Sequence, residues 1–371
     1  VSRAFMSVLA AIAVLAVLIV VHELGHFMAA RFQGIHVNRF AIGFGPVVWG
    51  YQGKETEYSI RAIPLGGFVG FPEDEADDPN SQFHPDDPDL LKNRPLLDRA
   101  IVISAGVIAN LLFAYLVFVA QFAGVGVPSG INAQPGVLVP DIVSQEAPAA
   151  RAGIRPGDVI VGIEGQAIGS GEEAIAILMD TIQNNPNQPL DIALERGSRQ
   201  VDVTVVPEVD ADGTSRIGVQ LVANGNIEYR RPTGISEVLT LAAVEFQDKT
   251  RRILNGFISL ITNFSEMSGQ VAGPVKIVEQ GAQFAENDVS RLFPFAAIIS
   301  INLAIINILP LPALDGGQLV FLLIEGVRGK RLPDGVQESV MQTGLFLLLG
   351  LGVFLIVRDT AQLDVIQNFF Q

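Results

Sequence analysis

Long apolar runs along this chain are separated by polar or alternating stretches, and their lengths settle the first question. Residues 4–21 are apolar except for Ser7, and runs of similar length cover 100–120, 293–314 and 340–357. At 1.5 Å per residue each run reaches across roughly 30 Å of hydrocarbon, so four membrane spans are predicted. The first run is too long for a signal peptide, and His-Glu follows it in place of a small-residue cleavage site, so it is read as retained. The third is interrupted by Pro294, Asn302, Asn307, Pro310 and Pro312.

Between the first two runs the period changes from helical to alternating. Val37, Phe40, Ile42 and Phe44, then Val47, Val48 and Trp49, then Tyr58, Ile60 and Ala62 predict short strands punctuated by glycine. Residues 73–89 are acidic and proline-rich and are read as a solvated linker. Residues 126–223 have a soluble composition, with alternation at Val201, Val203 and Val205 and clusters of turn residues, which predicts a separate α+β domain. From 235 to 264, Val238, Leu239, Ala242 and Phe246 oppose Glu237, Asp248, Lys249 and Arg251. That spacing predicts an amphipathic helix, lying on the outer membrane face or packed on the inserted domain. Residues 268–274 read as a turn back to the spans.

The predicted fold class is a polytopic α-helical membrane protein of four spans with a membrane-associated β-hairpin region and one inserted α+β domain. The divisions are 1–34 (first span), 35–99 (hairpin or re-entrant region and acidic linker), 100–122 (second span) and 126–223 (inserted domain). They continue with 234–290 (amphipathic helix and Gly-Pro segment), 293–327 (third span) and 340–358 (fourth span).

Composition sharpens this reading. Charged residues make up 17% and hydrophobic residues 49% of the chain, fewer charges than soluble proteins carry. The formal charge of −15 argues against nucleic acid as a partner, since phosphate binding needs basic clusters. Arg31, Arg39, Lys54, Arg61, Lys92, Arg94 and Arg99 lie between spans one and two, and Arg328, Lys330 and Arg331 between spans three and four. By the positive-inside rule both loops face the cytoplasm and the inserted domain lies outside. Lys249, Arg251 and Arg252 run against that rule and are assigned to lipid headgroups. With no cysteine and four histidines, any metal must be held by His and carboxylate.

The chemistry concentrates at His22-Glu23-Leu24-Gly25-His26, an H-E-x-x-H pattern at the inner end of the first span. Residues four apart share a helical face, so both imidazoles can reach one Zn²⁺ while Glu23 lies beside the water that such an ion activates. A third protein ligand is needed. Loop glutamates are available, but the acid that stands out is Asp315, in Asn307-Ile308-Leu309-Pro310-Leu311-Pro312-Ala313-Leu314-Asp315-Gly316-Gly317. Spans one and three run in the same sense, and His22 and Asp315 both fall toward their inner ends. Pro310 and Pro312 free backbone groups that must be satisfied inside protein or a wet cavity, as around a site. The same Pro and Asp-Gly-Gly also read as a helix stop. Asn110 and Asn307 are candidates to support ligands or bind substrate, or to join helices, because an unpaired amide in a span is costly. His36 and His84 read as ordinary loop residues.

These residues resemble the site-2 protease family of intramembrane zinc metalloproteases, and within it the bacterial branch of the regulator of sigma-E protease (RseP). The resemblance rests on His-Glu-Leu-Gly-His, Asn-x-x-Pro-x-Pro-x-Leu-Asp-Gly, and the segments Gly43–Pro46, Pro64–Val69 and Gly273-Pro274. It implies zinc held by His22, His26 and Asp315 with Glu23 as general base. The second span reads Gly106-Val107-Ile108-Ala109-Asn110 where family sequences usually show Gly-Pro-x-x-Asn. Residues 147–160 resemble a bacterial PDZ domain, a single copy where better-known relatives carry two, with a helix at 172–182 beside its groove. The resemblance implies regulated intramembrane proteolysis of single-span membrane proteins in the bacterial inner membrane, after a prior site-1 cut. Substrates would be of the anti-sigma-factor or signal-peptide-remnant kind. The PDZ domain would bind peptide or act as a size filter. A protease must expose the peptide bonds of a helical substrate, so residues 57–63, or the adjoining 67–71, are expected to offer a sheet edge to which an unwound strand adds. A catalytically silent PDZ membrane scaffold is the alternative from another class.

Overall fold

The computed structural model describes residues 2–72, 84–144, 146–197, 199–210, 213–264 and 271–361. Most of the expected acidic linker, 73–83, and the first half of the expected turn, 268–270, lie outside these residues. The chain forms two compact units, Gly126–Arg231 and the remainder. In chain order the elements are α1 (Ser2–Phe32), β1 (Arg39–Gln52), β2 (Glu57–Gly70), α2 (Leu96–Gly124), β3 (Val127–Leu138), α3 (Pro148–Arg151), β4 (Val159–Ile163), β5 (Gln166–Ala167) and α4 (Gly171–Asn184). Then come β6 (Leu190–Arg196), β7 (Arg199–Val205), β8 (Glu208–Val209), β9 (Ser215–Arg216), β10 (Val222–Arg230), α5 (Ile235–Thr262), α6 (Pro274–Asn287), α7 (Leu292–Ile308), α8 (Asp315–Arg328) and α9 (Asp334–Ala361).

Among the described residues, four helices are long and apolar enough to cross a membrane: Phe5–Phe32, Leu96–Gly124, Val289–Ile308 and Gly335–Ala361. α2 is the central one. It packs against α1, α5, α7 and α8, and buries Val102, Ile103, Val107, Ala114, Phe118 and Phe122. α9 instead leaves Phe346, Leu347, Val353 and Phe354 exposed, the surface expected of a span that faces lipid. The amphipathic helix α5 lies on α2: the Tyr115 hydroxyl donates to the Leu239 carbonyl at 3.4 Å, and the Tyr115 and Phe246 rings meet edge to face at 6.4 Å.

Within the 293–327 division the prolines of the interrupted run mark a break between two helices. α7 ends at Ile308, and Leu309, preceding Pro310, is extended at φ −61° and ψ 143°. Ala313 takes a left-handed φ of 71°, and Leu314 is extended before α8 begins at Asp315. The Asp-Gly-Gly that also reads as a stop is therefore a start. Side chains at Gly316 and Gly317 would collide with the Leu309 and Leu311 carbonyls at 2.1 and 2.4 Å, so the two glycines let the first turn of α8 tuck beneath the preceding connection.

After α1 the chain forms a bent sheet. Residues 39–42 pair in parallel with 57–60 and, on their other side, in reversed order with 67–70. Residues 49–52 pair with 57–60 in reversed order. The order across the sheet is thus 49–52, 57–60, 39–42, 67–70. Residues 57–60 are therefore interior, which corrects the first of the two expected edges: their backbone groups are already engaged by strands on both sides. Residues 67–70 form an edge among the described residues. Phe27 of α1 anchors the sheet, meeting Phe40 edge to face at 5.3 Å, while Val48, Trp49 and Tyr51 are exposed.

In the inserted unit the strand order is β10-β3-β4-β6-β7, with β5 on β4. α4 presents Ala174, Leu178 and Ile182, spaced by four, to a core of Val137, Ile160, Ile192 and Leu194. Asp158 is buried and accepts two hydrogen bonds from Arg196, each 2.7 Å, which raises the guanidinium pKa.

Candidate active site

One stripe of α2 organises the site. Val102, Gly106 and Asn110 follow one another at intervals of four, and each meets the H-E-x-x-H turn of α1. The Val102 carbonyl accepts from Nδ1 of His26 at 2.8 Å, which places that imidazole's proton on Nδ1 and leaves Nε2 with a lone pair. Gly106 faces both rings. A Cβ there would lie 2.3 Å from His26 Nε2 and 2.7 Å from His22 Cε1, so no other residue lets α2 come this close. Gly25 matches it from α1, since a Cβ there would sit 2.4 Å from the Ala105 carbonyl oxygen.

Asn110 is fully buried, with its amide nitrogen 3.3 Å from His22 Nδ1 and its Oδ1 without a hydrogen-bond partner. Amide oxygen and nitrogen are interchangeable in shape. Turning the amide over lets Oδ1 accept from a protonated Nδ1 of His22, which frees Nε2 of this histidine too. Ser300 of α7 donates to the Asn110 carbonyl at 2.8 Å and holds this turn of α2 in place.

Asp315 completes the cluster from the first turn of α8. His22 Nε2 and His26 Nε2 are 3.2 Å apart, and Asp315 Oδ2 lies 3.3 and 3.4 Å from them. Ligands at ~2.0–2.1 Å from zinc in a tetrahedral arrangement are themselves ~3.3 Å apart, so the observed triangle has the size that ion requires. Asp315 Oδ2 is buried and makes no hydrogen bond, the condition of a carboxylate oxygen aimed at a cation. Two imidazoles and a carboxylate are also a donor set suited to zinc. The residues fit the metal.

Glu23 lies against the sheet. A Cβ on Gly67, the first residue of the edge strand, would lie 2.8 Å from Glu23 Cγ. The carboxylate arm and the strand edge are therefore in contact. Asn307, near the end of α7, brings its amide nitrogen to 3.4 Å from His22 Nε2, on the ligand side of that ring. Pro310 and Pro312 shape the connection into α8 and touch none of His22, His26 and Asp315 in any described contact. Pro312 lies against Gly344 of α9, where a Cβ would be 2.3 Å from its own.

Several contributors escape sequence reasoning. Gly25 sits inside the motif, and its near-match in the small residues Ala105, Gly106 and Ala109 is a usable signal. The Val102 carbonyl is not, because every residue offers one. Outside the site, His36, Asp87 and Asp89 cluster at the surface, but Arg94 already contacts Asp89 at 2.6 Å and supplies the positive charge, so no metal is assigned there.

The model of the family described as Peptidase family M50 matches residues 10–351. The chain belongs to peptidase family M50. Among relatives of this M50 peptidase, a protein of Nostoc sp. named "Putative zinc metalloprotease" is 58% identical over 371 residues, covering 99% of this chain and 100% of its own. The "Membrane metalloprotease ARASP, chloroplastic" of Arabidopsis thaliana is 48% identical over 366 residues, covering 98% and 81%. A solved PDZ domain of a Listeria monocytogenes SdrC-like protein matches 24% of this chain and 90% of its own at 27% identity, with a TM-score of 0.21. The family and the relatives establish a multi-pass membrane zinc metalloprotease of the site-2 type.

Proposed function

We propose that this M50 peptidase holds zinc on His22, His26 and Asp315 and cleaves single-span membrane proteins within the bilayer, with Glu23 as general base. The observation that carries this reading is the triangle of His22, His26 and Asp315 with 3.2–3.4 Å edges, whose neighbouring glutamate touches a strand that is an edge among the described residues. Zinc, when bound there, polarises a peptide carbonyl and makes a water molecule acidic enough to ionise near neutral pH. Glu23 takes the proton of the attacking water on a carboxylate oxygen and returns it to the leaving amine. Asn307, beside His22, is placed to donate to the substrate carbonyl. Residues 67–70 accept the unwound substrate as an added strand, and this aligns its backbone over Glu23.

Substrates on this reading are stubs left by a first cut, of the anti-sigma-factor or signal-peptide-remnant kind, in a bacterial inner membrane with the site toward the cytoplasm. The inserted unit, read as a PDZ domain outside the membrane, binds exposed peptide ends or excludes substrates whose outer domain is intact. Deleting it should then permit cleavage of full-length substrate.

The test is zinc-loaded protein in bilayers with a helical reporter substrate. Glu23→Gln should keep a full equivalent of zinc and lose at least ~10³-fold in rate; near-native turnover would reject the role. Val69→Pro, on the edge strand, should slow cleavage of helical substrate about tenfold or more while sparing a short extended peptide. Equal rates on both would remove strand addition.

A further inference from the structure

The stripe of α2 that meets the histidines continues one turn further toward the inner end, to Arg99. Nη1 of Arg99 lies 2.9 Å from both carboxylate oxygens of Glu325, near the far end of α8. Both side chains are largely buried, at 14% and 13% exposure, and Arg331 adds a 3.3 Å contact to the same carboxylate. Gly326, the next residue of α8, packs beside Leu96 of α2. The helix that begins with Asp315 is thus pinned, at its other end, to the helix that orients the histidines.

The two paths around this loop are nearly equal in length. From Glu325 back to Asp315 is ten residues of helix, ~15 Å. From Arg99 to Gly106 and Asn110 along α2 is seven and eleven residues, ~10 and ~16 Å. An α8 pinned to Arg99 therefore delivers Asp315 to the depth at which Gly106 and Asn110 meet the imidazoles. α8 has few other attachments: its buried residues are Gly316, Gly317 and Leu322, and the broken connection before it supplies no continuous helix to fix its height.

We propose that Arg99 and Glu325 are positioning residues, a buried clamp that sets the depth of Asp315 against the histidine pair. The proposal rests on the reading of Asp315 as a ligand. A buried ion pair is a poor source of stability but a strict one of geometry, since removal of one partner leaves the other charge buried and less compensated, Glu325 then keeping only the half-exposed Arg331. A single nitrogen, Nη1, makes both contacts, so a lysine ammonium can replace it as a point charge.

The experiment is zinc retention by the full chain against graded chelator, together with the visible spectrum of the cobalt-loaded protein as a report on ligand geometry. Arg99→Ala should weaken zinc about tenfold, the low end of what loss of outer support for a metal ligand costs, and should alter the cobalt spectrum. Arg99→Lys should restore both to within about twofold. Glu325→Gln, a milder change in case Arg99→Ala does not fold, should act in the same direction. Phe118→Ala, a buried truncation elsewhere on α2, should lower thermal stability and leave the cobalt spectrum unchanged. The clamp is overturned if Arg99→Ala and Glu325→Gln keep native zinc retention and spectrum, or if Phe118→Ala shifts the spectrum equally. Failure of the parent reading looks different: Asp315→Ala would then keep zinc and the native cobalt spectrum, whatever Arg99 does.

Discussion

His22 and His26 ride on a helix that runs unbroken from Ser2 to Phe32, whereas Asp315 opens a short helix after a break containing two prolines and a left-handed alanine. The first pair is set by local geometry: four residues of helix turn two side chains to one face. The third group is set by packing alone, through Gly316 and Gly317 at one end of α8 and Glu325 at the other. The difference shows how a metal site can be half rigid by construction and half dependent on its neighbours. α2 mediates between the halves, touching the histidines at Val102, Gly106 and Asn110 and α8 at Arg99.

The most severe way to break this comparison is Asp315→Ala. Losing a ligand outright should cost more than ~100-fold in zinc affinity, beyond what loss of an outer support costs, as read by chelator competition. Retention of native affinity would mean that the histidine half alone makes the site. Next comes Gly106→Ala, which keeps all three ligands but places a methyl 2.3 Å from His26 Nε2. Displacing ligands by ~1 Å should lower turnover on the order of 100-fold while the chain remains folded; unchanged turnover would show that α2 yields readily. The mildest is Asn110→Leu, expected to weaken zinc about tenfold because His22 loses the acceptor that fixes its tautomer. Asn110→Asp, which still accepts from Nδ1, should stay close to native. Equal losses in the two variants would argue against the inverted amide.

Much of this was legible beforehand. The four spans, the H-E-x-x-H face and the inserted α+β unit follow from period and run length, and the site-2 family resemblance is confirmed by the match over 10–351. Pro310 and Pro312 mark the interruption of the third run in the sequence, but the apolar Leu309, Leu311 and Leu314 around them hide where one helix ends at Ile308 and the next begins at Asp315. The sheet edge was narrowed to two segments and no further, because alternation reveals that a strand exists and not which neighbours it has. Pairing on both sides of 57–60 excludes the first segment and leaves 67–70, beside Glu23.

The order of residues was sufficient for whatever depends on nearest neighbours: helical faces, span lengths, and the kinds of side chain available to hold a metal. It could not determine distances between groups far apart in the chain. The 3.3 Å from His22 to Asp315, the approach of α2 that Gly25 and Gly106 permit, and the clasp of Arg99 on Glu325 exist because helices pack. Packing is decided by the shapes of whole surfaces, which no local pattern encodes.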